Sequence, residues 1–77
     1  MVCSVNALRE KEVINVKDGA RLGFVGDVEV DLDTGSLISI VIPGAYKLAG
    51  LFGREQDVII KWDDIKKIGD DLIIVEM

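Results

Sequence analysis

Residues 57–77 constrain the fold most, because they alternate short apolar runs with turn residues. Residues 58–60 (Val-Ile-Ile) and 72–75 (Leu-Ile-Ile-Val) are rich in β-branched side chains, which suit a pleated, half-buried surface. Between them lie Trp-Asp-Asp-Ile at 62–65 and Gly-Asp-Asp at 69–71, whose residue types favour turns. The pattern predicts a small β-fold in which several short strands share one core.

The length of 77 residues predicts one domain, spanning residues 1–77. A chain of this size buries only about 60% of its unfolded surface, so its stability margin is small. With a single cysteine it has no internal disulfide, and no cluster of histidine and cysteine suggests a structural metal. Small scaffolds without either often rely on oligomerisation. We therefore expect a homodimer in preference to a monomer.

The charge balance argues against nucleic acid as a partner. Fourteen acidic residues against nine basic ones give a net charge of -5, whereas binding to nucleic acid depends on neutralising phosphates with Lys and Arg. No apolar stretch approaches the roughly 20 residues that span a bilayer, and the N-terminus lacks the features of a signal peptide. We expect a cytoplasmic protein without a membrane span. Cys3 is predicted to be a small, buried hydrophobe, not a reactive thiol.

A pass along the chain predicts an all-β barrel or roll of about six short strands. The predicted strands cover residues 12–16, 24–33, 37–42, 58–61, 66–68 and 72–76. Ser4 is a possible N-cap for one helical turn. Turns are predicted at residues 17–19 and 33–36, each of which contains a glycine, and residues 62–65 are predicted to form one 3₁₀ turn.

The strand predicted at residues 24–33 has the clearest alternation. Its apolar residues stand at even positions and its acidic residues at odd positions, which predicts one buried face and one solvated face. The apolar set is Phe24, Val28, Val30 and Leu32, and the acidic set is Asp27, Glu29, Asp31 and Asp33. Gly23 and Gly26 near its start fit a bulge or a sharp bend.

The glycine-rich segment 44–53 is unusually apolar for a loop. We predict an interaction surface made by its apolar side chains and the arginine that follows, namely Tyr46, Leu48, Leu51, Phe52 and Arg54. Exposed apolar patches mark interaction sites, and aromatic residues with arginine are typical of interfaces. Two alternatives stay open: the segment closes the open end of the barrel, or it packs on a second copy of the chain.

No constellation predicts catalysis, a metal site or a cofactor. The chain contains no histidine, so a nucleophilic triad in its usual forms is excluded. The acidic residues 27, 29, 31 and 33 would form a row along a strand, whereas a hard cation needs converging oxygens. The aspartates at 63, 64, 70 and 71 lie in predicted turns, whereas a catalytic general acid needs an apolar cleft. Trp62 is predicted to pack at the core or its rim.

Several short motifs resemble a known family. They are KEVIN at 11–15, DG at 18–19, RLG at 21–23, GD at 26–27, DTG at 33–35, FGR at 52–54, WDDI at 62–65 and IG at 68–69. The chain resembles the PRC-barrel domain, in particular its small stand-alone members similar to the YlmC/YmxH group.

The resemblance implies a β-barrel without enzymatic activity that serves as a docking module for other proteins. It implies a role in sporulation if the source is a bacterium, or in assembly of the division machinery if it is an archaeon. The alternative is a ribosome or RNA-processing accessory factor resembling the PRC-barrel half of RimM. The acidic charge and the lack of RimM's second domain argue against that alternative.

Overall fold

The computed structural model describes residues 2–44 and 57–77. In this part of the chain there are one short helix, seven strands and one 3₁₀ turn. In chain order they are α1 (Val5–Arg9), β1 (Glu12–Asn15), β2 (Ala20–Phe24), β3 (Asp27–Asp31), β4 (Ser36–Ile42), β5 (Val58–Lys61), the 3₁₀ turn (Trp62–Asp64), β6 (Ile65–Ile68) and β7 (Leu72–Val75). The predicted all-β fold class is confirmed, with one strand more than the six expected.

The strands form two sheets. The first has the order β2-β1-β7-β6, and the second has the order β3-β4-β5. Neighbouring strands are antiparallel except β1 and β7, which pair in parallel with Val13 opposite Ile73 and Asn15 opposite Val75. Two strands from opposite ends of the sequence therefore form the centre of the first sheet.

The core lies between the two sheets and consists of aliphatic side chains. In β1, β5 and β7 buried residues alternate with more exposed ones, as period-two side-chain packing requires. The buried hydrophobic set is Leu8, Val13, Leu22, Val25, Ile40, Ile42, Val58, Ile60, Ile73 and Val75. Helix α1 contributes Leu8, and its first turn is capped by Ser4, whose Oγ accepts a hydrogen bond from the Ala7 N–H at 3.1 Å.

The prediction of one strand over residues 24–33 is wrong. Phe24 ends β2 in the first sheet, and Asp27 begins β3 in the second. Gly26 lies between them, and its N–H donates to the Val41 carbonyl at 2.8 Å. A Cβ at Gly26 would lie 2.6 Å from the Pro43 ring. This close approach of two chain segments explains why glycine stands where the chain changes sheets.

The prediction that the even positions of this segment form a buried face is also wrong for most of its members. Phe24 is 53% exposed, Val30 is 43% exposed and Leu32 is 93% exposed, while Val28 alone is half-buried and packs on the core. A bulge between Glu29 and Val30 interrupts the ladder with β4. Because a bulge changes the local twist and bend of a strand, it breaks the period-two pattern.

The smaller local predictions have mixed outcomes. The bulge expected near Gly23 is present: this residue has φ 119°, and the register of β1 and β2 shifts beside it. The glycine turns are confirmed at Gly19 and Gly35, with φ 69° and 75°. Cys3, however, is exposed, so the prediction that it is buried is wrong.

Candidate docking surface

The loop predicted to carry the interaction surface leaves the second sheet between β4 and β5. Tyr46, Leu48, Leu51, Phe52 and Arg54 lie outside the described residues, so their role stays a prediction.

The base of this loop is described on both sides. The Gly44 N–H donates a long hydrogen bond of 3.4 Å to Asp57 Oδ1. Gly44 has φ 62°, a conformation that favours glycine. The two ends of the segment therefore meet beside the last pair of β4 and β5, which is Ile42 opposite Val58.

Next to the loop base, the outer face of the second sheet carries an apolar cross-strand pair. Val41 lies opposite Ile59, while the flanking pairs Ile40–Ile60 and Ile42–Val58 lie on the core side. The inward residues of these strands are at most 6% exposed, whereas Ile59 is 58% exposed and Val41 is half-buried. Residues directly opposite in a ladder share one face. Val41 and Ile59 therefore form an apolar pair that faces away from the core.

The next pairs on the same outward face are polar. Glu29 lies opposite Ser39, and Ser39 lies opposite Lys61. Ser39 is only 1% exposed, and its Oγ donates a hydrogen bond to Glu29 Oε1. Asp27 lies opposite Val41 and flanks the apolar pair on its β3 side. We call Asp27, Glu29, Ser39, Val41, Ile59 and Lys61 the outer face.

The outer face has the organisation of a small interaction surface. Its apolar pair is flanked by Asp27 across β3 and by Lys61 along β5, and charged residues are typical of the rim around an interface core. With two carboxylates and one ammonium group, it carries both signs of charge. The arrangement provides apolar area for contact and charged groups that can fix the register of a bound protein.

The acidic residues of β3 and its turn are engaged by local backbone groups. Asp27 Oδ1 accepts from the Val28 N–H at 2.8 Å, and Asp31 Oδ1 accepts from the Asp33 N–H at 2.9 Å. Across residues 2–44 and 57–77, no group of three or more histidine, cysteine, aspartate or glutamate side chains is placed to hold a metal ion. These carboxylates therefore act as turn and strand-end acceptors.

The predicted 3₁₀ turn at Trp62–Asp64 is confirmed, and so is the packing role of Trp62. Its side chain is half-buried and packs on the core together with Ile65 and Ile68. These three residues and the exposed Lys66 and Lys67 line an open pocket of about 330 Å³ beside β6.

Sequence reasoning assigned no role to the outward residues of β4 and β5. The apolar runs at residues 40–42 and 58–60 predict strands, and the edges of the strands that adjoin the loop are predicted to take part in docking. A strand with one buried face and one solvated face alternates between apolar and polar residues. Unbroken apolar runs on the paired strands β4 and β5 were the signal for a second apolar surface.

Comparison with known proteins places this fold in a family. The sequence model of the PRC-barrel domain matches residues 2–77. The chain belongs to the PRC-barrel family. The two sheets described above are thus this chain's version of the PRC-barrel fold.

Three relatives match over almost their whole length. "Probable sporulation protein YlmC" of Bacillus subtilis is 38% identical over 74 residues, covering 96% of this chain and 91% of the relative. An uncharacterised protein of Clostridium acetobutylicum is 42% identical over 72 residues, covering 94% and 82%. The uncharacterised protein YmxH of Bacillus subtilis is 33% identical over 75 residues, covering 95% and 87%. The predicted similarity to the YlmC/YmxH group is therefore confirmed.

The helical part of the structure is small. In the two described segments no helix has the length and apolar character needed to cross a bilayer.

Proposed function

We propose that residues 1–77 form a single, non-enzymatic PRC-barrel domain that docks a protein partner. The docking surface combines the outer face with the residues predicted in the adjoining loop, Tyr46, Leu48, Leu51, Phe52 and Arg54. The observation that carries this proposal is the Val41–Ile59 pair, which presents apolar side chains away from the core beside the base of that loop.

Energetics support a contact of moderate strength. Full burial of an isoleucine or leucine side chain contributes about 1.5–3 kcal/mol, and part of the Ile59 side chain is already covered. A partner that covers Ile59 and a few loop residues would gain enough for a reversible complex. This range suits a docking module whose partner must also be released.

The same surface would serve a homodimer. A twofold interface is self-complementary, so the apolar pair of one copy would face that of the second. Asp27 and Lys61 flank the pair on the β3 and β5 sides, and each could meet the opposite charge of the other copy. The small size of the domain supports this part of the proposal.

The biological setting follows from a relative. The chain is 38% identical to a protein named as a probable sporulation protein, and we propose that the docking function serves sporulation in a cytoplasmic complex. The non-enzymatic part of the proposal is supported by the composition, because a chain without histidine cannot form a nucleophilic triad of the usual kind.

A pull-down from the organism's own lysate tests the proposal. Tagged wild-type chain, Ile59→Asp, Phe52→Asp and the control Val16→Asp are compared with and without RNase. Val16 is 51% exposed and lies in the turn after β1, so it matches Ile59 in exposure but lies elsewhere. We expect one protein that survives RNase, is captured by the control, and is lost with Ile59→Asp and Phe52→Asp.

Two other outcomes would contradict the docking proposal. If Ile59→Asp and the control capture the partner equally, the outer face is not part of the docking surface. Ribosomal proteins that disappear with RNase would support the alternative of an RNA-processing accessory factor.

A further inference from the structure

We propose that the tip of the β3–β4 hairpin in one copy of this chain docks into the pocket beside β6 in a second copy. The hairpin tip comprises Leu32, Asp33 and Thr34. The β6 pocket is lined by Trp62, Ile65, Lys66, Lys67 and Ile68. Neither surface belongs to the outer face, so this inference is independent of the proposed partner site.

The hairpin tip presents a leucine in a well-fixed turn. Leu32 is 93% exposed, although it stands in a connection tied by three hydrogen bonds. The Gly35 N–H donates to the Asp31 carbonyl at 2.7 Å and the Asp33 N–H to Asp31 Oδ1 at 2.9 Å. The Ser36 N–H donates to Thr34 Oγ1 at 3.2 Å. Little conformational freedom is therefore lost when Leu32 is bound.

The β6 pocket has the matching chemistry. Trp62, Ile65 and Ile68 provide apolar walls, and the pocket is open to solvent with a volume of about 330 Å³. Among the described residues, the charged ones that line it are Lys66 and Lys67, both exposed. The pocket therefore accepts an apolar side chain that is accompanied by carboxylates.

Charge complementarity favours the hairpin tip as the occupant of the β6 pocket. Leu32 stands between Asp31 and Asp33, so an inserted hairpin tip would bring carboxylates to the two lysines. Contact between two tips would instead oppose Asp33 with Asp33, and contact between two pockets would oppose lysines with lysines. Like-charge contacts disfavour both alternatives. In a protein with net charge -5, the lysine-lined pocket is a favourable place for the acidic tip of another copy.

The contact joins two different surfaces, so it is heterologous. Such contacts form a closed ring or an open chain, depending on the rotation between copies. The assembly would leave the outer face free for the proposed partner. Ile59→Asp removes a twofold contact through the outer face but leaves the tip-to-pocket contact intact, so the association that remains in this variant reports on the tip and the pocket alone. Leu32→Ser leaves partner capture intact, and the two proposals can fail separately.

Sedimentation velocity of the full chain over a concentration series tests the contact. We expect the mean mass of Ile59→Asp, which lacks the twofold contact through the outer face, to rise with concentration, and the following variants are made in this background. Leu32→Ser should weaken the association by about tenfold to a hundredfold, because an exposed leucine no longer leaves water on binding. The control Val2→Ser removes an aliphatic side chain that is 98% exposed but far from the tip in sequence, and it should leave the association unchanged.

Charge reversal then tests the pairing itself. Asp33→Lys alone and the double variant Lys66→Glu, Lys67→Glu should each associate less than Ile59→Asp. Mixing these two variants should restore association, since each supplies the partner charge that the other now requires. An Ile59→Asp protein that stays monomeric, an association unaffected by Leu32→Ser, or a mixture that does not associate would each overturn the proposal.

Discussion

Apolar and polar residues alternate in the sequence of β3 but not in the sequence of β7, yet apolar burial is greater at the centre of the first sheet than in the β3–β4 hairpin. In β1 and β7, Val13, Ile73 and Val75 are fully buried. In the β3–β4 hairpin, Val30 of β3 is 43% exposed, and Leu32 just beyond the strand is 93% exposed. Alternation determines which residues share a face, whereas burial depends on whether another layer covers that face.

Strand position and the bulge in β3 accompany the difference, although an edge position alone does not expose apolar residues, because Val58 and Ile60 of the edge strand β5 are buried. β1 and β7 are the two central strands of the first sheet, so each has a neighbour on both sides. β3 is an edge strand of the second sheet. A bulge between Glu29 and Val30 bends it, and Val30 lies in the exposed part that follows the bulge. Apolar residues at the covered centre stabilise the fold, and apolar residues at the uncovered edge are available for binding.

Truncation at the covered centre should have the largest effect. Ile73→Ala removes three carbon atoms from a side chain that is fully buried in β7, and such substitutions cost about 2–5 kcal/mol. Urea denaturation followed by far-UV circular dichroism would measure the loss. The control Ile59→Ala alters an outward position of β5, where we expect a change within about 0.5 kcal/mol. Equal losses for both variants would contradict the assignment of inner and outer faces.

A substitution where the chain crosses between the two sheets should lower the free energy of unfolding by an intermediate amount. Gly26→Ala places a Cβ 2.6 Å from the Pro43 ring, and overpacking of this kind costs about 1–3 kcal/mol. The matched control is Gly69→Ala, whose new Cβ would meet only the Leu72 carbonyl at 3.5 Å. Thermal unfolding of the two variants compares them directly. If Gly26→Ala is as stable as the control, the two segments do not approach each other as described.

The hairpin tip should have the smallest effect on folding. Leu32→Ser is expected to change the free energy of unfolding by less than about 0.5 kcal/mol, because the side chain has few neighbours to lose. The comparison variant is Leu22→Ser in β2, where the leucine is 2% exposed. This substitution should lower the free energy of unfolding strongly. A large loss for Leu32→Ser would show that this leucine is covered and could not dock elsewhere.

Features determined by neighbouring residues were predictable from the sequence. The Ser4 cap, the turns at Gly19 and Gly35 and the 3₁₀ turn at Trp62–Asp64 each depend on a few adjacent side chains. The strand Val58–Lys61 was predicted with its observed bounds, because an apolar run and the following turn define both of its ends.

Features determined by distant segments were not predictable in this way. The break at Gly26 depends on the approach of Pro43, and the parallel pairing of β1 with β7 joins opposite ends of the chain. Gly26 indicates a bend in the local pattern, but neither the approach of Pro43 nor the pairing of β1 with β7 has a local signal. The outer face was missed for a related reason: whether Ile59 is covered depends on the layer above it, and not on the strand that carries it.

The most direct test of the central claim is the dissociation constant of the captured partner for the wild type, Ile59→Asp and Val16→Asp, measured by titration calorimetry. If the outer face is the docking surface, Ile59→Asp should weaken binding by about tenfold or more, and Val16→Asp should bind as the wild type does. The same dissociation constant for all three proteins would contradict the account.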